Sequence, residues 1–373
     1  MCDKEIGFLD FFTDLEDPRI DRKKLYPMSE ILLTTLCAVI SGAEGWQDIE
    51  NFGKAKIDFL KKHLAFENGI PSDDTFRRFF RAIDPNKFQE NFLNWVNSLN
   101  FKKGEIISID GKSSRRSRDN DQKALHLISA FASESRIVLG QKKVDGKTNE
   151  ITEIPELLNW LDLKESVVTI DAMGCQTKIA SQIINQGGDY VLALKGNQSN
   201  LHDEIINYFE QAKKHGTKGI DYQMSEEKNK GHDRKEIRKV FVTDKINFLP
   251  QKNEWKGLKS IVCISSKRIV SNKESNENRY YITSLPPLTQ KLGKIIRKHW
   301  AIENSLHWVL DVSFGEDQSR IRKGNGPENM AVMRHCAINM IRRYKNKRQS
   351  IKGLRKQAAW DEEILKGILD MAS

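Results

Sequence analysis

Three acidic residues stand where side chains could converge on a divalent cation. "IISID" ends an apolar run at Asp110, and "VVTID" ends another at Asp171. Further along, "HWAIENSLHWVLDVSFGED" (299–317) sets Glu303 midway between His299 and His307, then adds Asp311, Glu316 and Asp317. An aspartate at the carboxyl end of a buried strand sits at the rim of a sheet, where ligands bind. Aspartate also favours turns, so one such ending means little. Two alike in one sheet mean much more. A glutamate from a later helix would complete a set of hard oxygen donors, which selects Mg²⁺ or Mn²⁺ over zinc. Two such ions roughly 3.5–4 Å apart can activate a water or hydroxyl and stabilise the leaving oxygen of a phosphodiester.

Helical spacing puts His299, Trp300, Glu303, Leu306 and His307 along one flank. The two histidines fit hydrogen-bonding or phosphate-contacting roles better than metal ligation, and the HExxH spacing of a zinc site is absent. Asp311 is a reserve metal ligand. Lys112 and Lys195 could neutralise phosphates near the ions. Asn197 and Gln198 offer amide hydrogen bonds to DNA. "SSRRSR" (113–118), with Arg115 and Arg116, reads as a backbone-binding loop or a plain solvated turn.

These residues need a sheet to hold them. Residues 105–110, 124–132 and 135–144 are β-rich, 152–163 look helical, and 166–171 form another apolar strand. A helix (175–188), a strand (189–195) and a helix (200–215) follow. This is the order of a mixed sheet with helices packed on it. A polar, strand-prone stretch at 216–286 interrupts the pattern. "PPLTQKLGKIIRKHWAIENSLHWVLD" then resumes as one long helix. Residues 8–98 read as mostly helical. The helix carrying Arg77, Arg78 and Arg81 is either the reader of a helix-turn-helix or a bundle helix with exposed arginines.

A chain of 373 residues is too long for one minimal core. No apolar run reaches the roughly 20 residues needed to cross a bilayer, and the N-terminus lacks a signal-peptide pattern. Five scattered cysteines without a CxxC pair point to a reducing cytoplasm. The net charge is +10, and between Arg320 and Lys356 twelve Lys/Arg face one acid, Glu328. That imbalance suits a polyphosphate partner, which releases counterions on binding. A solvated helix face or mobile tail is the plainer alternative. No GxxxxGK[ST] motif is present, so no nucleotide cofactor is expected.

"SIDGK", "TIDAMGCQTKIA", "ALKGNQ", "YYITSL" and "RKHWAIENSLHWVLDVSFGED" together resemble the DDE transposases of bacterial insertion sequences, and within them the H-repeat-associated branch. The resemblance runs from about Phe8 to Arg343. It implies an RNase H-like mixed-sheet core with a β-rich insertion at about 216–286, preceded by a helical N-terminal domain. The implied division is a DNA-binding domain at 1–100, a catalytic domain at 101–346 and a basic tail at 347–373. Asp110, Asp171 and Glu303 would bind two Mg²⁺ or Mn²⁺ ions and cut double-stranded DNA at the element's ends, then join it to target DNA. A homodimer on DNA in the bacterial cytoplasm, associated with the nucleoid, is the implied setting. Related transposases carry Tyr-x2-Arg-x3-Glu-x6-Lys around the glutamate. This chain has Ile296, His299 and Leu310 at the other three positions, so His299 would replace the arginine as a phosphate contact. The rivals are a domesticated, catalytically silent DNA-binding protein and a nuclease without strand transfer.

Overall fold

The computed structural model describes residues 7–20, 24–99, 101–118, 123–144, 150–215, 222–231, 234–271, 273–346 and 348–372. Cys2 lies outside them. The N-terminal part is helical: α1 (Gly7–Asp10), α2 (Met28–Ile40), α3 (Trp46–Ala55), α4 (Ile57–Leu60), α5 (Asp73–Ala82) and α6 (Pro85–Ser98). The sheet strands follow with intervening helices: β1 (Ile106–Ser113), β2 (His126–Ala132), β3 (Ile137–Lys143), α7 (Glu150–Asn159), β4 (Val167–Ile170), α8 (Thr177–Asn185), β5 (Asp189–Leu194) and α9 (Ser199–His215). Next come β6 (Gln223–Gly231), β7 (Arg234–Thr243), β8 (Ser260–Val270) and β9 (Lys273–Thr283). The chain closes with α10 (Thr289–Ala301), a π-helical turn (Ile302–His307), α11 (Trp308–Phe314), α12 (Gly326–Tyr344), α13 (Ile351–Trp360) and α14 (Glu362–Leu369).

Among the described residues, nine strands form one sheet in the order β3-β2-β1-β4-β5-β9-β8-β7-β6. β1, β4 and β5 are parallel, and the pairs to β2, β3 and β9 are antiparallel. This is the RNase H-like arrangement. The β-rich insertion continues the same sheet, because β9 pairs with β5 from Leu194↔Tyr280 to Val191↔Thr283. Among the described residues it has four strands. The extra one, β6, is "QMSEEKNKG", whose charged residues give no apolar alternation to detect.

Side chains alternate across a strand, so the two sheet faces acquire different partners. Ile107 and Ile109 belong to the main core. Ile106, Val167, Val191, Val240, Val262 and Tyr281 turn to the other face and pack against Leu292, Ile295 and Ile296 of α10. That helix therefore crosses the sheet and leads its C-terminal end toward the ends of β1 and β4.

α12 joins the helical part to the sheet. It packs against α2, α5 and α6 on one side and β3 on another. Asn339 bonds the Val138 backbone twice, accepting from its N–H at 2.8 Å and donating to its carbonyl at 3.0 Å. The stretch expected as a basic tail forms α13 and α14, which bury Leu354, Leu365 and Ile368. The Trp95 indole N–H donates to the Ala372 carbonyl at 2.8 Å, tying the chain's end to α6. Part of the charge counted at 320–356 is internal. Arg355 is buried with its guanidinium on the Val39 and Ser313 carbonyls, where it caps α2 and α11. Arg334 is buried beside Glu316 and Ser319. A cation count along a sequence carries no direction, and these arginines point inward.

Cys37, Cys175, Cys263 and Cys336 are buried, and among the described residues they form no disulfide. Among the described residues no helix is long and apolar enough to cross a membrane.

Candidate active site

Parallel pairing runs to Ile109↔Ile170, so the next residues, Asp110 and Asp171, lie side by side. β4 ends there, but β1 continues to Ser113 through its pairing with β2, so Asp110 lies within its strand and not at the end that the apolar run suggested. Asp110 shares its face with Ser108, and Asp171 with Thr169, by the period of two. A polar chain links that face. Ser133 and Ser108 hydroxyls lie 2.9 Å apart, Thr169 donates to Ser108 at 3.1 Å, and the Thr169 hydroxyl is 3.0 Å from His299 Nδ1. These bonds tie β1, β4 and α10 together directly beneath the carboxylates.

The helix carrying Glu303 is interrupted where the chemistry sits. The Trp308 N–H bonds the Glu303 carbonyl, a five-residue step, so residues 302–307 form one π turn between α10 and α11. Such turns are rare and often mark functional sites. The expected single flank consequently divides. Leu306 is fully buried and His307 nearly so, Glu303 is half-exposed, and Trp300 faces outward. Arg342 of α12 holds this turn. Its guanidinium donates to the Ser305 carbonyl and, at 2.6 Å, to the Arg136 carbonyl.

Asp110, Glu303 and His307 bring one ligand atom each to within 4.8 Å of one another. His307 Nδ1 lies 3.7 Å from Asp110 Oδ2 and 3.6 Å from Glu303 Oε2. Burial, together with the neighbouring Glu303 and Asp171 carboxylates, pushes Asp110 up to about 8. Glu303 goes the opposite way, because His307 and Asp110 hydrogen-bond to its ionised form. The two carboxyls share a proton, as closely set acids do. Two carboxylates and an imidazole at this spacing fit one divalent cation such as Mg²⁺ or Mn²⁺, with water completing the shell. The nitrogen donor favours Mn²⁺ more than an all-oxygen set would.

Asp171 stands outside that trio. Its Oδ1 accepts from the Met173 and Gly174 N–H groups at 3.0 and 3.4 Å. Burial raises its pKa, and the nearby Glu150 carboxylate raises it further. Glu150 is a neighbour the sequence reading missed. It is buried with His126 (Nε2 to Oε1, 2.5 Å), and His126 Nδ1 is 2.8 Å from Ser113. Gly111 makes room for it, since a Cβ there would lie 2.4 Å from Glu150 Oε1. No sequence signal marks this relay, whose three members come from β1, β2 and α7.

Lys112 does not face the trio as a spare cation. Its ammonium lies 2.7 Å from Asp311, 2.9 Å from Glu316 and 3.7 Å from Asp317. Asp311 is correspondingly engaged by Lys112 rather than held in reserve for a metal. His299 is bonded to Thr169, and burial lowers its pKa to about 4, which leaves it a neutral positioning group. Asn197 donates to the Ala172 carbonyl at 2.6 Å and Gln198 to the Cys175 carbonyl at 3.0 Å. Both amides therefore brace the loop after Asp171. Lys195 is exposed nearby. Arg115 and Arg116 are exposed, and the Arg115 backbone N–H and guanidinium both reach Asp317. Arg77 and Arg78 are exposed on α5, far along the chain from the carboxylates, and both pair with Asp74.

Comparison with known proteins gives two domain matches. Residues 9–96 match the family described as DDE_Tnp_1-associated, and residues 101–340 match the Transposase DDE domain. The "H repeat-associated putative transposase YhhI" of Escherichia coli (strain K12) is 42% identical over 97% of each chain. The "Putative transposase YncI" of Escherichia coli O157:H7 is 42% identical over 96% of this chain and 94% of its own.

Proposed function

The chain belongs to the DDE transposases, in the H-repeat-associated branch, and from that premise we propose that it cuts double-stranded DNA at the ends of an insertion sequence and joins the freed 3′-hydroxyl to target DNA. The observation that carries this reading is the pairing of Asp110 and Glu303 within one ligand cluster beside Asp171, where the parallel pairing of β1 and β4 stops. Asp110, Asp171 and Glu303 would hold two divalent ions. When bound, those ions supply the positive charge that stabilises the attacking and leaving oxygens of an in-line displacement at phosphorus.

The chain's own side chains set the geometry. His307 lies against both Asp110 and Glu303 and limits how far either carboxylate can swing. His299, neutral and bonded to Thr169, fixes the helix over β4. Asn197 and Gln198 hold the loop that keeps Asp171 at the rim. Lys195, Arg115 and Arg116 are exposed cations that suit DNA phosphates, and Arg77 and Arg78 offer a second contact through the N-terminal helices. The bacterial relatives support a setting on nucleoid DNA in the cytoplasm, and two DNA ends would favour a homodimer.

The test is incubation of the protein with labelled end DNA and Mg²⁺ or Mn²⁺. Joined products support the transposase, nicks alone indicate a nuclease without strand transfer, and shifted but uncut DNA indicates a silent binding protein. Unchanged cleavage by Asp171→Asn would sink the three-carboxylate assignment.

A further inference from the structure

The sheet face that packs α10 changes character along the insertion. On β7, Val240 and Val242 touch the helix, and the same alternation continues to Arg238 and Glu236. On β8, Val262 and Ile264 continue to Ser266 and Arg268. On β9, Tyr281 continues to Arg279 and Glu277. Beyond the apolar contact the two elements part, leaving an open groove of about 770 Å³. Its opposite wall is α10, through Lys294, Arg297 and Lys298. Arginine and lysine outnumber glutamate seven to two in the lining.

Some of this charge is compensated. Arg238 pairs with Glu236, Arg279 with Glu277, Arg297 with Glu227 and Lys298 with Glu134. Among the described residues Arg268 and Lys294 make no ion pair, and both are exposed. Cations gathered on facing walls repel unless a polyanion lies between them. The groove also opens onto the catalytic helix. Trp300 is half-exposed in its wall with the Arg279 guanidinium 4.8 Å above its ring. Three residues of helix, about 4.5 Å, separate Trp300 from Glu303.

A second groove, of about 610 Å³, lies on the other side of the same helix and shares Arg136, Asn304 and Ser305 with the first. It is lined by the exposed Trp308 and Val312, and its Arg342 is committed to backbone carbonyls. The second groove has four cations, Arg136, Arg342, Lys345 and Lys352, against seven in the first, which is the larger and has cations on both facing walls.

We propose that the groove between α10 and strands β7–β9 carries the DNA backbone on one side of the scissile phosphate, with Arg268 and Lys294 as phosphate contacts. The inference rests on the DNA-cutting reading above and adds where the substrate lies. It draws on residues that the sequence did not single out.

The test is binding of a labelled DNA duplex in metal-free buffer across a salt series, comparing the wild type with the double variant Arg268→Gln/Lys294→Gln. The expected result is at least a tenfold loss of affinity at moderate salt. The slope of log affinity against log salt should fall by about two, since each lost phosphate contact removes about 0.9. Mn²⁺ affinity and the thermal midpoint should stay the same. Unchanged affinity and slope would overturn the assignment. A second measurement on the wild type guards against a folding defect in the variant. 5-Iododeoxyuridine stepped outward from the cut phosphate should crosslink to Trp300 within about two nucleotides, at 3.4 Å per nucleotide along a strand. Crosslinks confined to Trp308 would put the DNA in the other groove and overturn the proposal. A wild type that cuts DNA while the variant binds as well as it does defeats the groove alone. A wild type that neither binds nor cuts defeats the DNA-cutting reading as well.

Discussion

Two acidic clusters adjoin each other along one face of β1, and only one contains a lysine. At Asp110, just past the last parallel pair of β1 with β4, a carboxylate meets Glu303 and His307 with no Lys or Arg ion pair among the described residues. Two residues on, Lys112 is packed among Asp311, Glu316 and Asp317, and Arg334 reaches Glu316 from behind. Both clusters draw on the same stretch of sequence, 303–317. The difference separates a structural site from a chemical one. Buried acids with a resident cation are neutralised by the fold, whereas buried acids without one hold a proton or await a metal.

Removing the resident cation tests this contrast most severely. Lys112→Met leaves three carboxylates facing one another, and breaking a buried ion pair costs about 3–5 kcal/mol. Urea unfolding should show that loss, and a change under 1 kcal/mol would mean the second cluster is hydrated after all. Asp110→Asn should act in the opposite manner. It should leave the metal-free protein as stable or more so, while cleavage falls by about 10²–10³-fold, the scale for losing one electrostatic catalytic group. Cleavage within a fewfold of wild type would remove Asp110 from the site.

Proton linkage gives a third and smaller effect. Asp110 is raised to about 8, so its proton must leave when a cation binds. Mn²⁺ affinity should therefore rise by up to about tenfold per pH unit toward pH 8 and level off above it. For the metal-free fold the sign is reversed. The unfolded chain loses this proton near the ordinary carboxylate range while the folded one retains it, so stability falls as pH rises from that range to about 8. Asp110→Asn should flatten both curves, and a pH-independent Mn²⁺ affinity in the wild type would contradict the shared proton. The smallest effect is expected at Thr169→Val. It removes the hydroxyl beneath His299 at a cost of about 1 kcal/mol. Cleavage should drop through kcat with DNA affinity unchanged, and partial recovery with Thr169→Ser would identify the hydroxyl rather than packing as the cause.

The carboxylates could be read from the sequence because each follows from a local rule. An apolar run ending at aspartate becomes a strand end at Asp171, and the parallel register of β1 and β4 sets Asp110, within β1, beside it. The neutral state of His299 could not be read that way, since it comes from burial of the imidazole against the sheet. Nor could the roles of Asn197 and Gln198, whose amides are drawn to carbonyls of the preceding loop. The Ser113–His126–Glu150 relay escaped notice because its members are spread over 38 residues of chain and meet only through the pairing of β1 with β2 and the packing of α7.

By itself the sequence determined the element order of the core, the three acids at its rim and the family they belong to. Those rest on strand alternation, helix spacing and ordered motifs, all of which are properties of neighbours along the chain. Tertiary structure alone decided which acids received a cation, as at Lys112, and which arginines turned inward, as at Arg334 and Arg355. It also inserted the π turn that parts His307 from Trp300, and it assembled a cationic groove from strands and a helix distant in sequence. Charges act through space and their worth depends on burial, so their roles are fixed only when packing chooses their neighbours.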